Sequence, residues 1–298
     1  MAAVAKAVLI VNPFSSGVTL EKLERVEAAL RERVEVETEL TRGPGHAREL
    51  AAAAAGEVDA VILFSGDGTY NEAINGAAPG SVLGFVPGGG ASVLPRTLGL
   101  PHDPVEAAAQ LGEALAEGRT RSIGIGRVNG RRFSFAAGIG LDAEAVRRVE
   151  ARGRSAEGRR AGNFAFVTTA IRLLAESRLT LEPRLELVDH GRAAFLVVTC
   201  GRPYTYAGPI PVRLAPDGVE GLAFAAPERV RPGAAAGLVL RFLRGTLGSA
   251  PGVLSGSGLQ RLEVRCDEPL PLEADGEDLG DVAGAVFEAE PDALTVLV

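Results

Sequence analysis

The stretch "LFSGDGTYNEAING", residues 63–76, joins an apolar run to a helix-like segment through two glycines that flank an aspartate. A tight turn is the simplest interpretation, since Gly and Asp are common turn residues. A phosphate-binding turn is the alternative, because glycines let backbone amides approach an anion closely and a following helix N-terminus adds unpaired donors. The rest of the chain must decide between the two.

Apolar runs alternate with helical patterns through the first 118 residues. The predicted order is β-α-β-α-β-α-β-loop-α, with strands at 7–11, 34–40, 60–64 and 81–87 and helices at 19–33, 45–56, about 67–77 and 104–118. This alternation predicts a parallel sheet, whose ligands lie outside the carboxyl ends of the strands. Asn12, Thr41, Gly66 and Gly88 each follow a predicted strand, so we expect them to converge at one edge of the sheet.

The pattern changes near residue 121, where short strands replace the alternation. Asn129-Gly130 predicts a tight hairpin. One amphipathic helix is predicted at about residues 162–177. Further strands are predicted at 184–189, 193–200, 221–225, 261–265, 270–274, 284–288 and 293–298. A second, β-rich domain is the natural interpretation.

Composition excludes several classes of function. The net charge of −7 argues against a nucleic-acid-binding protein, whose usual footprint is a basic surface. No apolar run reaches the roughly 18–20 residues that span a bilayer, so we expect a cytoplasmic protein. Cys200 and Cys266 lie in no metal-ligand pattern, and we expect buried small side chains rather than a disulfide or a zinc site.

Three glycine-rich loops follow predicted strands: "NPFSSG" (12–17), "SGDGT" (65–69) and "PGGGAS" (87–92). Each alone is compatible with an ordinary turn or a helix cap. Three such loops on one sheet edge are hard to explain as independent turns. Together they predict a site for the phosphates of a nucleotide.

The motifs taken in order resemble the diacylglycerol kinase catalytic-domain family, which includes bacterial lipid kinases and sphingosine and ceramide kinases. The resemblance rests on NPFSSG (12–17), TRGPGHA (41–47), GDGTYNE (66–72), PGG…RTLGLP (87–101), AAGIGLDAEAV (136–146), EGRRAGNFAFVTTAIRLL (157–174), LAPDGVEGL (214–222) and Asp275-Gly276-Glu277. It implies an α/β plus β fold, with a Rossmann-like ATP-binding domain (1–121) followed by a β-sandwich-type lipid-substrate domain (122–288). It also implies that residues 289–298 return to the first domain.

The resemblance implies a role for individual residues. ATP would be held by Asn12, Ser16, Gly17, Thr41, Gly66, Asp67, Gly68, Thr69 and Gly89. Asp67 would help to organise Mg²⁺, and Glu277 would be the general base that takes the proton of a lipid hydroxyl. Asp217 matches a structural metal loop. For both Asp217 and Asp275-Gly276-Glu277, an ordinary Asp-Gly turn is the alternative.

Several positions depart from the family pattern. Ser65 stands where the family has glycine, Ser92 and Val93 stand in the third loop where it has polar residues, and Gly124 and Ala136 stand where it has aspartate and asparagine. Two hypotheses follow: an ATP- and Mg²⁺-dependent kinase acting on diacylglycerol or a related long-chain alcohol, and a catalytically weak or inactive nucleotide- or lipid-binding relative. A kinase of a soluble substrate, related to NAD kinase, is a third alternative.

Residues 147–160 carry six arginines and two glutamates. A solvated loop and a basic rim that meets anionic lipid headgroups are both open interpretations. The expected partners are ATP and a lipid substrate at a membrane surface, with the protein peripheral to the inner face of the membrane and with a role in phospholipid biosynthesis. Homodimer formation is left open.

Overall fold

The structure is a computed structural model that describes residues 4–151, 163–208, 210–215 and 219–298. It divides into two compact units. The described residues of the first unit are 4–123 and 292–298, and those of the second unit lie between 124 and 291.

The first unit is an α/β layer structure. Its elements are β1 (Lys6–Val11), α1 (Leu20–Arg31), β2 (Glu35–Leu40), α2 (His46–Ala53), β3 (Ala60–Ser65), α3 (Asp67–Gly76), β4 (Val82–Pro87), α4 (Val93–Thr97) and α5 (Pro104–Glu117). The strands pair in parallel in the order β2-β1-β3-β4. All six residues of β3 are buried, as expected for a central strand of a sheet covered on both faces. Helix α1 packs against α5, and α2 packs against α3.

Local sequence signals explain the boundaries of α5. Asp103 caps its N-terminus by accepting hydrogen bonds from the amides of Val105 and Glu106, and Pro104 occupies the first turn. Gly118 ends the helix in the left-handed conformation at φ 68°, which glycine adopts without steric cost.

The second unit is built mainly from antiparallel strands. Its elements are β5 (Thr120–Val128), which begins in the first unit, β6 (Arg131–Phe133), β7 (Ala136–Ile139), α6 (Leu141–Ala151), α7 (Asn163–Glu176), β8 (Leu185–Leu187), β9 (Gly191–Ala193), β10 (Leu196–Cys200), β11 (Thr205–Ala207), β12 (Ile210–Val212), β13 (Leu222–Pro227), α8 (Pro232–Leu243), β14 (Val253–Leu259), β15 (Arg261–Ala274) and β16 (Glu277–Leu297). Strands follow one another in the order β14-β13-β10-β7-β15-β16. Phe133, Phe224 and Phe287 are fully buried in its core.

The end of β16 lies in the first unit. Thr295 and Val296 pair in parallel with Val82 and Leu83 of β4. The sheet of the first unit therefore has five parallel strands, and the last one comes from the end of the chain.

Strand lengths differ from the sequence prediction in the second unit. The predicted strands 261–265 and 270–274 form one strand, β15, and 284–288 and 293–298 lie within β16. The pairing register shifts between Arg265 and Leu270, in a stretch that contains the first proline of "EPLP" (268–271). A bulge absorbs the prolines without ending the strand.

Helices also differ from the prediction. Helix α6 was not predicted. It contains residues 147–151 of the arginine-rich stretch, so these residues form neither the solvated loop nor the basic rim that were the two interpretations of the stretch. In helix α8 Ala235 is the one buried residue, and Leu238 and Val239 are partly buried against the same small apolar cluster. Among the described residues, no helix is long and apolar enough to cross a bilayer.

Candidate functional site

The three glycine-rich loops contact one another at the carboxyl ends of β1, β3 and β4. The amide of Gly17 in the first loop donates to the carbonyl oxygen of Gly88 in the third loop at 2.8 Å. Ser15 Oγ donates to the same oxygen at 2.9 Å. The amide of Gly88 donates to the carbonyl oxygen of Ser65 in the second loop at 2.7 Å. The predicted convergence is therefore present, and the third loop is hydrogen-bonded to both of the others.

Glycine is needed in these loops because their backbones touch. A Cβ atom on Gly89 would lie 2.6 Å from Gly66 Cα, and one on Gly17 would lie 2.8 Å from the carbonyl oxygen of Gly88. Close packing between loops thus explains these glycines before any ligand is considered. The next residue, Gly90, has open space around its Cβ position.

This contrast predicts different outcomes for two neighbouring substitutions. We expect Gly89→Ala to lower the free energy of unfolding by about 2 kcal/mol, because a backbone atom must move to admit the methyl group. Gly90→Ala should leave stability unchanged or raise it slightly, since alanine reduces the entropy of the unfolded chain. Urea denaturation of both variants measures the difference, and equal midpoints would contradict the described contact between the loops.

Helix α3 begins within the second loop and lacks a side-chain cap. Its N-cap residue is Gly66, which has no side chain to accept a hydrogen bond from the first turn. The amide donors of such a turn are available to an anion, and the helix dipole favours negative charge there. The glycine-rich loops therefore surround a helix N-terminus that fits a phosphate group.

Polar side chains link the loops to this helix. Asn12 Nδ2 donates to Thr69 Oγ1 at 3.0 Å, while Asn12 Oδ1 accepts from the amide of Phe14 at 3.0 Å. Asp67 lies in the first turn of α3, and its Oδ1 accepts from the amide of Leu94 at 3.3 Å. Asp67 thus ties the second loop to α4, which follows the third loop.

The other predicted ATP residues are placed as follows. Gly68 lies in the first turn of α3. Thr41 follows β2, and its amide donates to the carbonyl oxygen of Val11 at 2.8 Å, next to the first loop. Ser16 is exposed, and the hydrogen bond that joins the first loop to the third comes from Ser15. The sequence pair Ser15-Ser16 gave no signal as to which hydroxyl would point inward.

Tyr70 is a further residue of this region that sequence reasoning missed. It is fully buried in α3, and its Oη lies 2.6 Å from the carbonyl oxygen of Ser65 and 2.7 Å from that of Val86. Burial raises the pKa of Tyr70 well above its usual value, and the charge of Asp67 raises it further. The neutral hydroxyl therefore fastens the helix to the ends of β3 and β4.

The residues that depart from the family pattern are buried or make hydrogen bonds within their own units. Val93 and Ala136 are 1% and 2% exposed and serve as core residues. Ser92 has a left-handed backbone at φ 45°, and its Oγ donates to the carbonyl oxygen of Gly89 at 3.2 Å. The carbonyl oxygen of Gly124 accepts from Arg202 Nη1 at 2.8 Å. Ser65 Oγ is buried and meets no hydrogen-bond partner among the described residues.

In the second unit, Asp275 and Gly276 form the turn between β15 and β16. Their φ angles are 51° and 79°, and Ala274 pairs with Glu277 across the turn. The dipeptide forms a hairpin turn, and Glu277 is the first residue of the strand that follows. The Glu277 side chain is 42% exposed, and its Oε2 accepts from Arg131 at 2.5 Å.

The carboxylate of Asp275 holds this turn in place. It accepts hydrogen bonds from the amides of Ser134, Phe135 and Ala136 and from Ser134 Oγ, at 2.6 to 3.2 Å. Four donors on one buried carboxylate leave the turn little freedom. Sequence reasoning missed this role, because the donors lie about 140 residues earlier in the chain.

Two arginines of the basic stretch are paired with acids. Arg147 contacts Asp278 at 2.8 Å and Asp281 at 2.7 Å, and the hydrogen bond from Arg147 lowers the pKa of Asp278 below its usual value. Arg148 contacts Glu144 and Glu176. These two residues are therefore poor candidates for lipid headgroup contacts, while residues 152–160 lie outside the described part of the chain.

The remaining candidates are not part of a described site. Asp217, the predicted metal residue, lies outside the described residues. Both cysteines are free thiols. Burial raises the pKa of Cys200 to about 11, which keeps it protonated and unreactive.

Comparison with known proteins shows which proteins the first part of the chain is similar to. Residues 6–128 match the family model described as "Diacylglycerol kinase catalytic domain". A "Diacylglycerol kinase" of Bacillus subtilis (strain 168) is 36% identical over 144 residues, which are 45% of this chain and 46% of that protein. A "Diacylglycerol kinase" of Mycobacterium tuberculosis (strain CDC 1551 / Oshkosh) is 32% identical over 148 residues, 47% of each chain. The chain thus matches about half the length of these curated relatives.

Solved structures extend the likeness over both units. The crystal structure of a diacylglycerol kinase from Bacillus anthracis str. Sterne matches with a TM-score of 0.71 and 18% identity, covering 100% of this chain and 98% of that one. This likeness confirms the predicted fold class, an α/β unit followed by a β-rich unit. Residues 6–128 are thus similar to the diacylglycerol kinase catalytic domain, and the fold of the whole chain is similar to that of a solved diacylglycerol kinase.

Proposed function

We propose that this protein is an ATP- and Mg²⁺-dependent lipid kinase that transfers the γ-phosphate to the hydroxyl of diacylglycerol or a related long-chain alcohol. The observation that carries the proposal is the meeting of three glycine-rich loops around the uncapped N-terminus of α3. The match of residues 6–128 to the family model supports the same reaction.

In this proposal the first unit binds ATP. The amides of the first turn of α3 and of the glycine-rich loops bind the phosphates, with Asn12 and Thr69 fixing the loops in place. Of the remaining predicted residues, Gly17, Gly66, Gly68 and Gly89 contribute backbone, Ser16 belongs to the first loop, and Thr41 lies next to that loop. Phosphoryl transfer depends mainly on such positioning and on stabilisation of charge.

The residues also fit a magnesium ion that is held largely by phosphate oxygens. In the described ranges, no three His, Cys, Asp or Glu side chains gather as a metal-ligand set. Magnesium commonly takes one or two carboxylates together with phosphates and water, and Asp67 would supply a carboxylate. When bound, the ion would neutralise charge on the phosphate oxygens.

Glu277 of the second unit is the proposed general base. It accepts the proton of the lipid hydroxyl while the hydroxyl oxygen forms a bond to the γ-phosphorus and the bond to the leaving ADP breaks. The exposed carboxylate is oriented by Arg131. The turn residue Asp275 keeps the start of β16 fixed, which positions Glu277 for this role.

A catalytically weak or inactive nucleotide- or lipid-binding relative is the second candidate. The observation that favours it is the burial of Val93 and Ala136 as core residues where the family has polar groups. In this case the loops bind a nucleotide and no phosphoryl group is transferred.

The deciding experiment is an assay of lipid phosphorylation. Purified protein would be incubated with γ-labelled ATP, Mg²⁺ and mixed micelles that contain diacylglycerol or single-chain alcohols, with soluble alcohols and NAD in a parallel set. Label in a lipid product supports the lipid kinase, and label only in a soluble product contradicts it. ATP binding without transfer across the whole panel would favour the second candidate.

Localisation follows from the same proposal. A kinase whose substrate resides in a bilayer would work in the cytoplasm, at the inner face of the membrane, and would contribute to phospholipid biosynthesis. Homodimer formation is compatible with this proposal, and sedimentation of the purified protein measures it.

A further inference from the structure

Two carboxyl groups of the second unit lie against each other below the turn that precedes Glu277. Asp142 belongs to the first turn of α6, and Glu273, which is 2% exposed, belongs to β15. Tyr204 Oη donates to Asp142 Oδ1 at 2.5 Å, and the amide of Gly276 donates to Glu273 Oε2 at 2.9 Å. Each carboxyl group thus has one oxygen satisfied by a donor.

The second oxygen of each carboxyl group has a hydrogen-bond partner only if one of the two groups carries a proton. Asp142 Oδ2 and Glu273 Oε1 are buried and receive no hydrogen bond from an N–H group or a hydroxyl of the described residues. Glu273 lies opposite Gly138 in the pairing of β15 with β7, and Asp142 Oδ2 lies 2.5 Å from the position that a Cβ atom on Gly138 would take. The two carboxyl groups are therefore neighbours on one face of the sheet. Two buried carboxylates there would be acceptors only and would repel each other, so one proton shared between Asp142 Oδ2 and Glu273 Oε1 is the arrangement that satisfies both.

The surroundings keep that proton in place. Burial raises the pKa of both groups above the usual range for carboxyls, most strongly for Glu273. The charge of Asp142 raises the pKa of Glu273 further, as does the charge of Asp275, and Tyr204 stabilises the ionised form of Asp142 by its hydrogen bond. Glu273 is thus the protonated member and donates to Asp142. The groups of the described residues that act on the pair are the acid Asp275, the phenol of Tyr204 and the amide of Gly276.

We propose that Asp142 and Glu273, by sharing one buried proton, act as positioning residues for Glu277. The step from the pair to Glu277 is short, because Glu273 holds the amide of Gly276 and Gly276 directly precedes Glu277. Asp275 fixes the first residue of the turn, and Glu273 fixes the second. The inference rests on the proposed role of Glu277 as general base.

Loss of the shared proton has a defined consequence. Two ionised carboxylates would repel each other in a buried site, so Glu273 would leave the amide of Gly276 and the turn would loosen. Misplacement of a catalytic group by about 1 Å can cost about 10²-fold in rate. The rate should therefore fall at alkaline pH.

The decisive variants are Glu273→Gln and Glu273→Ala. In Glu273→Gln the amide nitrogen can donate to Asp142 Oδ2 while the amide oxygen accepts from Gly276, so a permanent N–H replaces the shared proton. We expect Glu273→Gln to retain kcat and to lose the alkaline fall, and Glu273→Ala to lose about 10–100-fold in kcat with the KM for ATP unchanged. Glu263→Gln, on the same strand but at an exposed ion pair with Arg265, is the matched control.

A stability measurement tests the shared proton without any assay of activity. The folded protein binds a proton that the unfolded carboxyls have released above about pH 5, so the folding equilibrium constant should fall by up to tenfold per pH unit in that range. Glu273→Gln should flatten this dependence, and Glu263→Gln should not. Urea denaturation at several pH values measures both.

The outcomes separate the claims. If the stability of wild type and of Glu273→Gln depended equally on pH, the two carboxyl groups would not share a proton. If Glu273→Gln flattens the pH dependence of stability but Glu273→Ala keeps the wild-type kcat, the pair has only a structural role and does not position Glu277. An inactive wild-type protein would overturn the proposed function and the positioning together, while the stability series would still decide whether the proton is shared.

Discussion

Replacing Glu277 by glutamine is expected to lower kcat for lipid phosphorylation by about 10²–10⁴-fold, the usual contribution of a general base. The amide oxygen can still accept from Arg131, whose side chain contacts Glu277 Oε2, so the fold and the start of β16 should be retained. What is lost is the ability to accept a proton from the lipid hydroxyl. The KM for ATP should change little, because the proposed ATP residues belong to the first unit.

The matched control is Asp281→Asn. Asp281 is an exposed acid on the same strand and pairs with Arg147, so its neutralisation tests for a general effect of charge on β16. Steady-state kinetics with micellar diacylglycerol, together with the melting temperature of each variant, give the comparison. If Glu277→Gln kept wild-type kcat, the general base would have to be another group, and the reaction class would survive without this assignment.

The fold could be predicted from the sequence where the signal is local. Alternating apolar runs and helical patterns placed the strands of the first sheet, and Asn129-Gly130 placed the hairpin after β5, with φ angles of 47° and 87° at the two residues. Helix α6 could not be placed, since its short apolar pattern follows directly on β7. The bulge in β15 could not be placed either, because it depends on pairing with β16.

The candidate site could be predicted to the level of loops but not of side chains. Glycine-rich loops after adjacent parallel strands must meet at one edge, and those of this chain do so. Which hydroxyl points inward, Ser15 or Ser16, depends on contacts across the loops. The anchoring of Asp275 by residues 134–136, and the pairing of Asp142 with Glu273, require contacts more than 100 residues apart in sequence. Such contacts leave no local pattern.

Replacing Asp67 by asparagine is expected to lower kcat by about 10²–10³-fold, because a single electrostatic contact to a transition state is commonly worth about 3–4 kcal/mol. Asparagine keeps an oxygen that can accept from the amide of Leu94, as Asp67 Oδ1 does at 3.3 Å. The tie between α3 and α4 should therefore persist, and the loss should come from the missing negative charge. A higher Mg²⁺ requirement in the variant identifies that charge as a contact of the metal.

The measurement is a titration of activity with Mg²⁺ at saturating ATP, in wild type, Asp67→Asn and the control Glu57→Gln. Glu57 is an exposed acid of the same unit, in the turn before β3, so it reports the effect of removing one charge far from the loops. We expect Asp67→Asn to need several-fold more Mg²⁺ for half-maximal rate and to stay below the wild-type rate at saturation, because added Mg²⁺ cannot replace a fixed carboxylate. A normal Mg²⁺ dependence with full activity would show that Asp67 acts only through its bond to Leu94, and the magnesium assignment would then move away from the first turn of α3.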